Sequence, residues 1–233
     1  MTTAPSTDSA WADRAAARSP TVQRSRDRSI QQATQIVDAA IDLIQEKGSA
    51  FTIHELARRA RVALQTFYRH FAGKDELLLA VIEHILNDSM VHYEETARTL
   101  DDPLDRLRYY ITVAVSTLDD ESQVSSRRFI TAEHYRLHQL FPDELGAANR
   151  TYAELLIPEI RAAAELGQLA PNDVEADAWF VTELVMATFH HYAYASTSES
   201  TELRSERLWQ FCLAALGGVS PTDASSPKSG GDQ

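Results

Sequence analysis

Apolar residues recur at intervals of three and four from about residue 30 to residue 217, and that spacing restricts the chain to helices packed on helices. Ile30, Ala33, Val37, Ala40, Ile41 and Ile44 form the first stripe, and Gly48, just after Glu46 and Lys47, is a stop signal. A first helix over 30–47 follows. A long helix through Leu78, Val81, Ile82, Ile85 and Leu86 is read the same way, as are helices near 103–118, 122–140, 143–167, 173–196 and 201–217. Pro158 removes a donor inside the 143–167 pattern and should kink that helix, which Gly167 closes. Period-two alternation is scarce and no Asn-Gly or Asp-Gly hairpin signal occurs, so the expected fold class is all-α.

The two ends differ from this middle. Residues 1–29 and 219–233 are rich in small polar residues without periodicity and are expected to be mobile tails, the first of them Arg-containing. Between them, residues 30–73 and 74–218 are expected to form two helical domains. No apolar run approaches the roughly 20 residues of a membrane span, and the N-terminus lacks the apolar stretch of a secretory signal. The expectation is a soluble, cytoplasmic chain with no membrane partner. Its one cysteine, Cys212, sits in the apolar run LWQFCLAAL, where it reads as core, and one thiol builds neither an internal disulfide nor a thiolate metal cluster. No Gly-rich phosphate loop, nucleophile elbow or H-E-x-x-H motif is present, so neither an enzyme nor a cofactor is expected.

The net charge of −12 hides an asymmetry. Residues 1–74 hold 11 Lys and Arg against 7 Asp and Glu, a balance of +4, and the remainder is strongly acidic. The first third is therefore the part suited to meeting an anion. Within it, Thr52-Ile-His-Glu55 is a capping-box pattern that starts a short helix burying Ile53, Leu56, Ala57 and Ala60. After a two-residue break a second short segment runs from Ala63 to His70. Two short helices with a tight connection, one longer helix before and one after, make the layout of a helix-turn-helix. The ordinary alternative is a helical hairpin. Against it stand the basic run Arg58-Arg59-Ala-Arg61 and the crowding of Gln65, Thr66, Tyr68, Arg69 and His70 on the second segment, residue types that bond phosphate oxygens or base edges. Phe67 and Phe71, at i and i+4, are assigned to core.

The stretch FTIHELARRARVALQTFYRHFAGKDELLLAVI resembles the DNA-binding signature of the TetR family of bacterial transcriptional regulators. Its matching features are Thr66-Phe67-Tyr68-Arg69-His70-Phe71 and the pair Lys74-Asp75 that opens the next helix. The resemblance is close over about 30–86. Arg61 departs from it, standing where the family usually has Gly, as does Ala63, where a Ser or similar cap is frequent. The resemblance implies a double-stranded DNA operator, contacted by Thr52, His54, Ala63, Gln65, Thr66, Tyr68, Arg69, His70 and Lys74. Tyr68 would lie against a phosphate or a thymine methyl, Gln65 would read adenine, and His70 and Lys74 would hold phosphates. Arg24, Arg26 and Arg28 could follow the DNA backbone or stay solvated.

One helix-turn-helix offers too little contact for specific binding, so a homodimer is expected. Trp179, Val181, Leu184, Val185, Met186, Phe189 and Tyr192 surround most of one helix, and Leu203, Leu208, Trp209, Phe211, Leu213 and Leu216 most of the last. Val181, Leu184, Val185, Thr188, Tyr192, Leu208 and Phe211 are the expected interface. By the same resemblance the middle helices should enclose a chamber for a small-molecule effector of unknown identity. Tyr109, Phe129, His134, Tyr135, His138, Tyr152 and Phe189 are its candidate lining, with Tyr110, His190 and Tyr194 beside them. His134 and His138 share the i, i+4 spacing of two zinc ligands, but no third ligand of matching spacing accompanies them, and no metal is expected. The reading is a repressor that binds a palindrome as a dimer and is released by its effector. An activator of the same family and a non-DNA helical adaptor remain open alternatives.

Overall fold

The computed structural model describes residues 18–120, 124–195 and 199–218, and within them every regular element is a helix. The chain order is α1 (Pro20–Lys47), α2 (Ile53–Arg59), α3 (Leu64–His70), α4 (Lys74–Ala97), α5 (Pro103–Ser116), a short 3-10 turn (Thr117–Asp119), α6 (Val124–Leu140), α7 (Pro142–Glu165), α8 (Val174–Tyr192) and α9 (Thr201–Ala215). No described helix is long and apolar enough to cross a membrane. Local chemistry sets several starts. Asp102, Asp173 and Ser200 each accept a backbone N–H from the first turn of α5, α8 and α9, and Pro103 and Pro142 take helix positions where a missing N–H costs nothing. Pro158 lies within α7 on its exposed side and does not end it.

The N-terminal tail expectation needs correction. Residues 20–29 are helical and extend α1 by nearly three turns, and every one of them is exposed. Apolar periodicity reports burial, and this stretch buries nothing, so the pattern was silent there. Pro20 at the first helical position and the hydrogen bond from Arg24 Nε to the Pro20 carbonyl, 3.1 Å, are its local supports. The expected tails at 1–17 and 219–233 lie outside the described residues.

Two cores hold the molecule together. The first gathers Ile36, Ala40, Ile44, Phe51, Leu56 and Phe67 from α1 to α3 with Leu77, Val81 and Ile82 from the first half of α4. It also takes Phe129 and Leu137 from α6 and Leu145 from α7. The second unites α4 and α5 with α7, α8 and α9, through Met90, Leu107, Ile111, Leu156, Ile160, Val185, Trp209 and Leu213. Helix α4 therefore belongs to both cores, and α6 is a strut between the small N-terminal head and the larger body. Fully burying side chains of this size stabilises by about 1.5 to 3 kcal/mol each, so removing Phe67 or Ile82 would undo the head. Cys212 is 1% exposed in the second core, and burial pushes its thiol up to about 12, which suits packing rather than redox chemistry.

Candidate nucleic-acid interface and adjoining cavity

The head is built around the connection between α2 and α3. Thr52 starts α2 with a complete capping box, its hydroxyl accepting from the Glu55 N–H while the Glu55 carboxylate accepts from the Thr52 N–H at 2.8 Å. Lys47 adds a 2.7 Å bond to the same carboxylate. These partners, Lys47 first, hold Glu55 down at about 2. At the other end of α2 the chain turns by a Schellman motif: the Arg61 N–H reaches the Arg58 carbonyl and the Val62 N–H the Ala57 carbonyl. The residue that must take the left-handed conformation is Arg61, at φ 53°, the single non-glycine with positive φ among the described residues. Gly would adopt it without penalty, so the departure noted in the sequence stores a modest strain. Gln35 from α1 caps the same end by donating to the Ala60 carbonyl at 2.8 Å.

Helix α3 then divides cleanly. Phe67 is fully buried and Phe71 nearly so, their rings 5.7 Å apart, as the core assignment expected. Gln65, Tyr68 and Arg69 are exposed, and Thr66 is half-buried. Tyr68 stands 53% exposed with its ring edge-on to Phe67, so the core sets the ring's position while the hydroxyl faces outward. Ala63 is exposed at the N-cap and supplies no side-chain cap. Thr52 and His54 are exposed at the start of α2.

Several basic residues are engaged inside the head. Arg69 donates to the Gln32 side chain on α1 at 2.6 Å, and His70 lies 3.5 Å from the same oxygen. Burial and the neighbouring Arg69 lower the His70 pKa, favouring a neutral ring. Lys74 was expected to hold a phosphate, but its ammonium donates to the carbonyls of Ser49 and of Phe51, the latter at 2.7 Å, and sits 4.5 Å over the Phe51 ring. It ties the α1–α2 connection to the start of α4, and burial lowers its pKa. Arg59 in the basic run pairs with Glu46 at 2.8 Å and turns toward α1. The outward cations near α3 are therefore Arg58 and Arg61, with the exposed Arg24, Arg26 and Arg28 on the first turns of α1.

A cavity of about 120 Å³ lies in the body, walled by α4, α5, α6, α7 and α8. Of the expected lining, His134, Tyr152 and Phe189 border it, and so does His190. The others are elsewhere. Phe129 is packed in the first core, Tyr109 packs edge-on against Tyr93, and Tyr110 is buried with its carbonyl accepting from the Tyr152 hydroxyl. Tyr135 and His138 are exposed, and Tyr194 is exposed with its hydroxyl on the Arg128 carbonyl. Aromatic character alone does not say which side of an amphipathic helix a residue takes. The cavity also uses Ser89, Met90, Ser126, Arg127, Asn149 and Met186, polar or flexible residues that carried no such signal. His134 and His190 have ring centroids 4.6 Å apart, and burial lowers both pKa values, His190 to about 4. No group of three or more metal-binding side chains occurs among the described residues.

The expected interface residues on α8 and α9 separate by depth. Val185 is fully buried, and Val181 and Leu208 are 5% and 7% exposed, so these three serve the protomer's own core. Their strong apolar signal came from that core. Leu184, Thr188 and Tyr192 are half-buried, and Phe211 is 65% exposed. Phe180, 70% exposed, joins them from α8 beside Leu184 and Phe211. The result is an open apolar face across α8 and α9.

Comparison with known proteins adds three findings. Residues 36–81, from within α1 to within α4, match the family described as bacterial regulatory proteins, tetR family. An HTH-type transcriptional repressor of Mycobacterium tuberculosis is 38% identical over 77 residues, 32% of this chain and 41% of that relative. The chain thus spans about two fifths of the length of that curated relative. Among solved structures, a TetR-family transcriptional regulator from Pectobacterium atrosepticum superposes with a TM-score of 0.68 at 19% identity, covering 84% of this chain and 98% of that one. The transcriptional regulator FadR from Bacillus subtilis, in complex with stearoyl-CoA, does so at 0.60 and 17% identity, covering 78% and 98%.

Proposed function

We propose that the chain, whose residues 36–81 match the tetR family of bacterial regulatory proteins, is a DNA-binding transcriptional repressor. In this reading it acts as a homodimer on a palindromic operator and is released by a small molecule. The observation that carries this reading is the division of α3, whose Phe67 is sunk in the head while Gln65 and Tyr68 lie open on the opposite side. A recognition helix needs that arrangement, with a rigid inner face and an outer face of side chains able to meet phosphates and base edges. Tyr68 bonds a phosphate or packs on a thymine methyl, Gln65 reads a base, and Thr52, His54 and Thr66 add flanking contacts. Arg69 and His70 position α3 against α1 through Gln32, and Lys74 fixes the loop beneath it.

Dimerisation buries the open face of Phe180, Leu184, Thr188 and Phe211, and the two-fold axis sets the two α3 helices on successive major grooves. The effector occupies the cavity of the body. Helix α6 links the two sites: Arg127, Ile130 and His134 border the cavity, Phe129 and Leu137 pack in the head's core, and Arg136 pairs with Asp75 at the start of α4 at 2.8 Å. A ligand that displaces the cavity wall therefore moves a strut seated in the head. The coupling between ligand and DNA is reciprocal, typically 1 to 3 kcal/mol. FadR of Bacillus subtilis, with stearoyl-CoA bound, supports an effector in a body of this fold, though not the identity of one for this chain.

A binding titration tests the reading: the purified protein against the DNA upstream of its own coding sequence and against a scrambled duplex, at two salt concentrations. The expected outcome is a salt-sensitive complex that prefers the upstream duplex by about a thousandfold or more. Equal, weak binding to both duplexes would overturn it.

A further inference from the structure

The cavity wall is mostly apolar, yet two of the residues that line it, Arg127 and His190, each carry a buried nitrogen without a partner. Nη1 of Arg127 donates to the backbone carbonyls of Asp120 and Thr117, at 3.0 and 3.5 Å, while its Nε is buried with no acceptor. Across the space, His190 keeps Nδ1 at 3.1 Å from the Thr131 hydroxyl, and its Nε2 is buried and unpartnered. Burial and the adjacent His134 keep this imidazole neutral at ordinary pH, so Arg127 is the cation of the site. When Thr131 donates to Nδ1, the hydrogen of the ring sits on Nε2 and becomes a second donor. Size limits the occupant. The 120 Å³ here is close to the roughly 150 Å³ of an apolar cavity that takes one benzene ring. One ring or a short branched chain fits without moving the walls.

We propose that the cavity selects a small monocyclic or short branched carboxylate, with its apolar body among Ile85, Leu86, Met90, Ile130 and Phe189 and its carboxylate on Nε of Arg127, helped by Nε2 of His190. The inference rests on the effector reading of this chamber and names the chemical class. A buried donor that goes unmet penalises a neutral analogue, so the site rejects the amide or alcohol of the same shape. A charge-assisted bond to guanidinium rewards the anion.

Calorimetric titration of the full chain with sodium benzoate and with benzamide, in the absence of DNA, is the test. The expected result is saturable benzoate binding at least tenfold tighter than benzamide binding. Arg127→Gln should abolish that preference with helicity retained, and Arg127→Lys, which keeps the charge, should restore part of it. Equal affinities, a preference that survives Arg127→Gln, or no saturable benzoate binding would each overturn the proposal. Benzoate binding by a protein that shows no DNA preference would leave this inference standing and remove the regulator reading instead.

Discussion

Replacing Lys74 by Met keeps the aliphatic stem and removes the ammonium, which separates a structural clamp from a phosphate contact. The ammonium makes two bonds to carbonyls of the α1–α2 connection and one cation–π contact with Phe51. Hydrogen bonds to charged groups contribute about 1.5 to 3 kcal/mol each, and an exposed cation–π contact about 0.5 to 1. The site is only half-buried, so water recovers part of this, and a net loss of about 2 to 3 kcal/mol is expected. For a chain of this length that lowers the melting temperature by roughly 4 to 12 °C. Thermal and urea unfolding at one fixed protein concentration measure it, since a dimer's midpoint moves with concentration. A melting temperature within a degree of the parent, together with weakened and less salt-dependent DNA binding, would refute the clamp and return Lys74 to the phosphate role that the sequence suggested.

Four further outcomes follow from the same geometry. Tyr68→Ala leaves helicity and melting temperature unchanged, because the ring is half exposed, and weakens operator binding by about tenfold or more, read by fluorescence anisotropy; unaltered affinity would exclude α3 as the reading helix. Arg61→Gly relieves a left-handed non-glycine and should raise stability by about 1 kcal/mol in urea unfolding, whereas a loss would mean the turn is not strained. Phe180→Glu with Phe211→Glu should convert a dimer to a protomer of 26.0 kDa by light scattering without loss of helicity, and a surviving dimer would place the interface elsewhere. His190, with a folded pKa near 4 against 6.5 unfolded, binds its proton more readily when unfolded. Its stabilising contribution is therefore complete above about pH 6.5 and lost as pH falls toward 4, on the order of 2 to 3 kcal/mol. His190→Asn should flatten the urea midpoint across that window, and an unchanged slope would refute the assignment.

Most helices were legible because each buries one face and announces it by spacing. Thr52 with Glu55 even disclosed the chemistry of its cap, and the Phe67 and Phe71 pair separated the inside of α3 from its outside. The first turns of α1 were not legible, since Arg24, Arg26 and Arg28 on a fully exposed helix produce no apolar period. Site residues were harder where an interaction joins distant segments. That Lys74 would turn to Ser49 and Phe51, or Arg69 to Gln32, depends on how α1 crosses α3 and α4, which no local pattern encodes. Likewise Val185 and Phe180 sit on one apolar helix, and only the packing of α7 and α5 decides that the first is core and the second is open.

Hydroxyl-radical footprinting of the bound operator asks whether two copies of α3 read one duplex together. The proposed dimer should leave two protected patches related by a dyad and centred about one helical turn, 10 to 10.5 base pairs, apart. A single patch, or protection spread evenly along the duplex, would rule that dimer out.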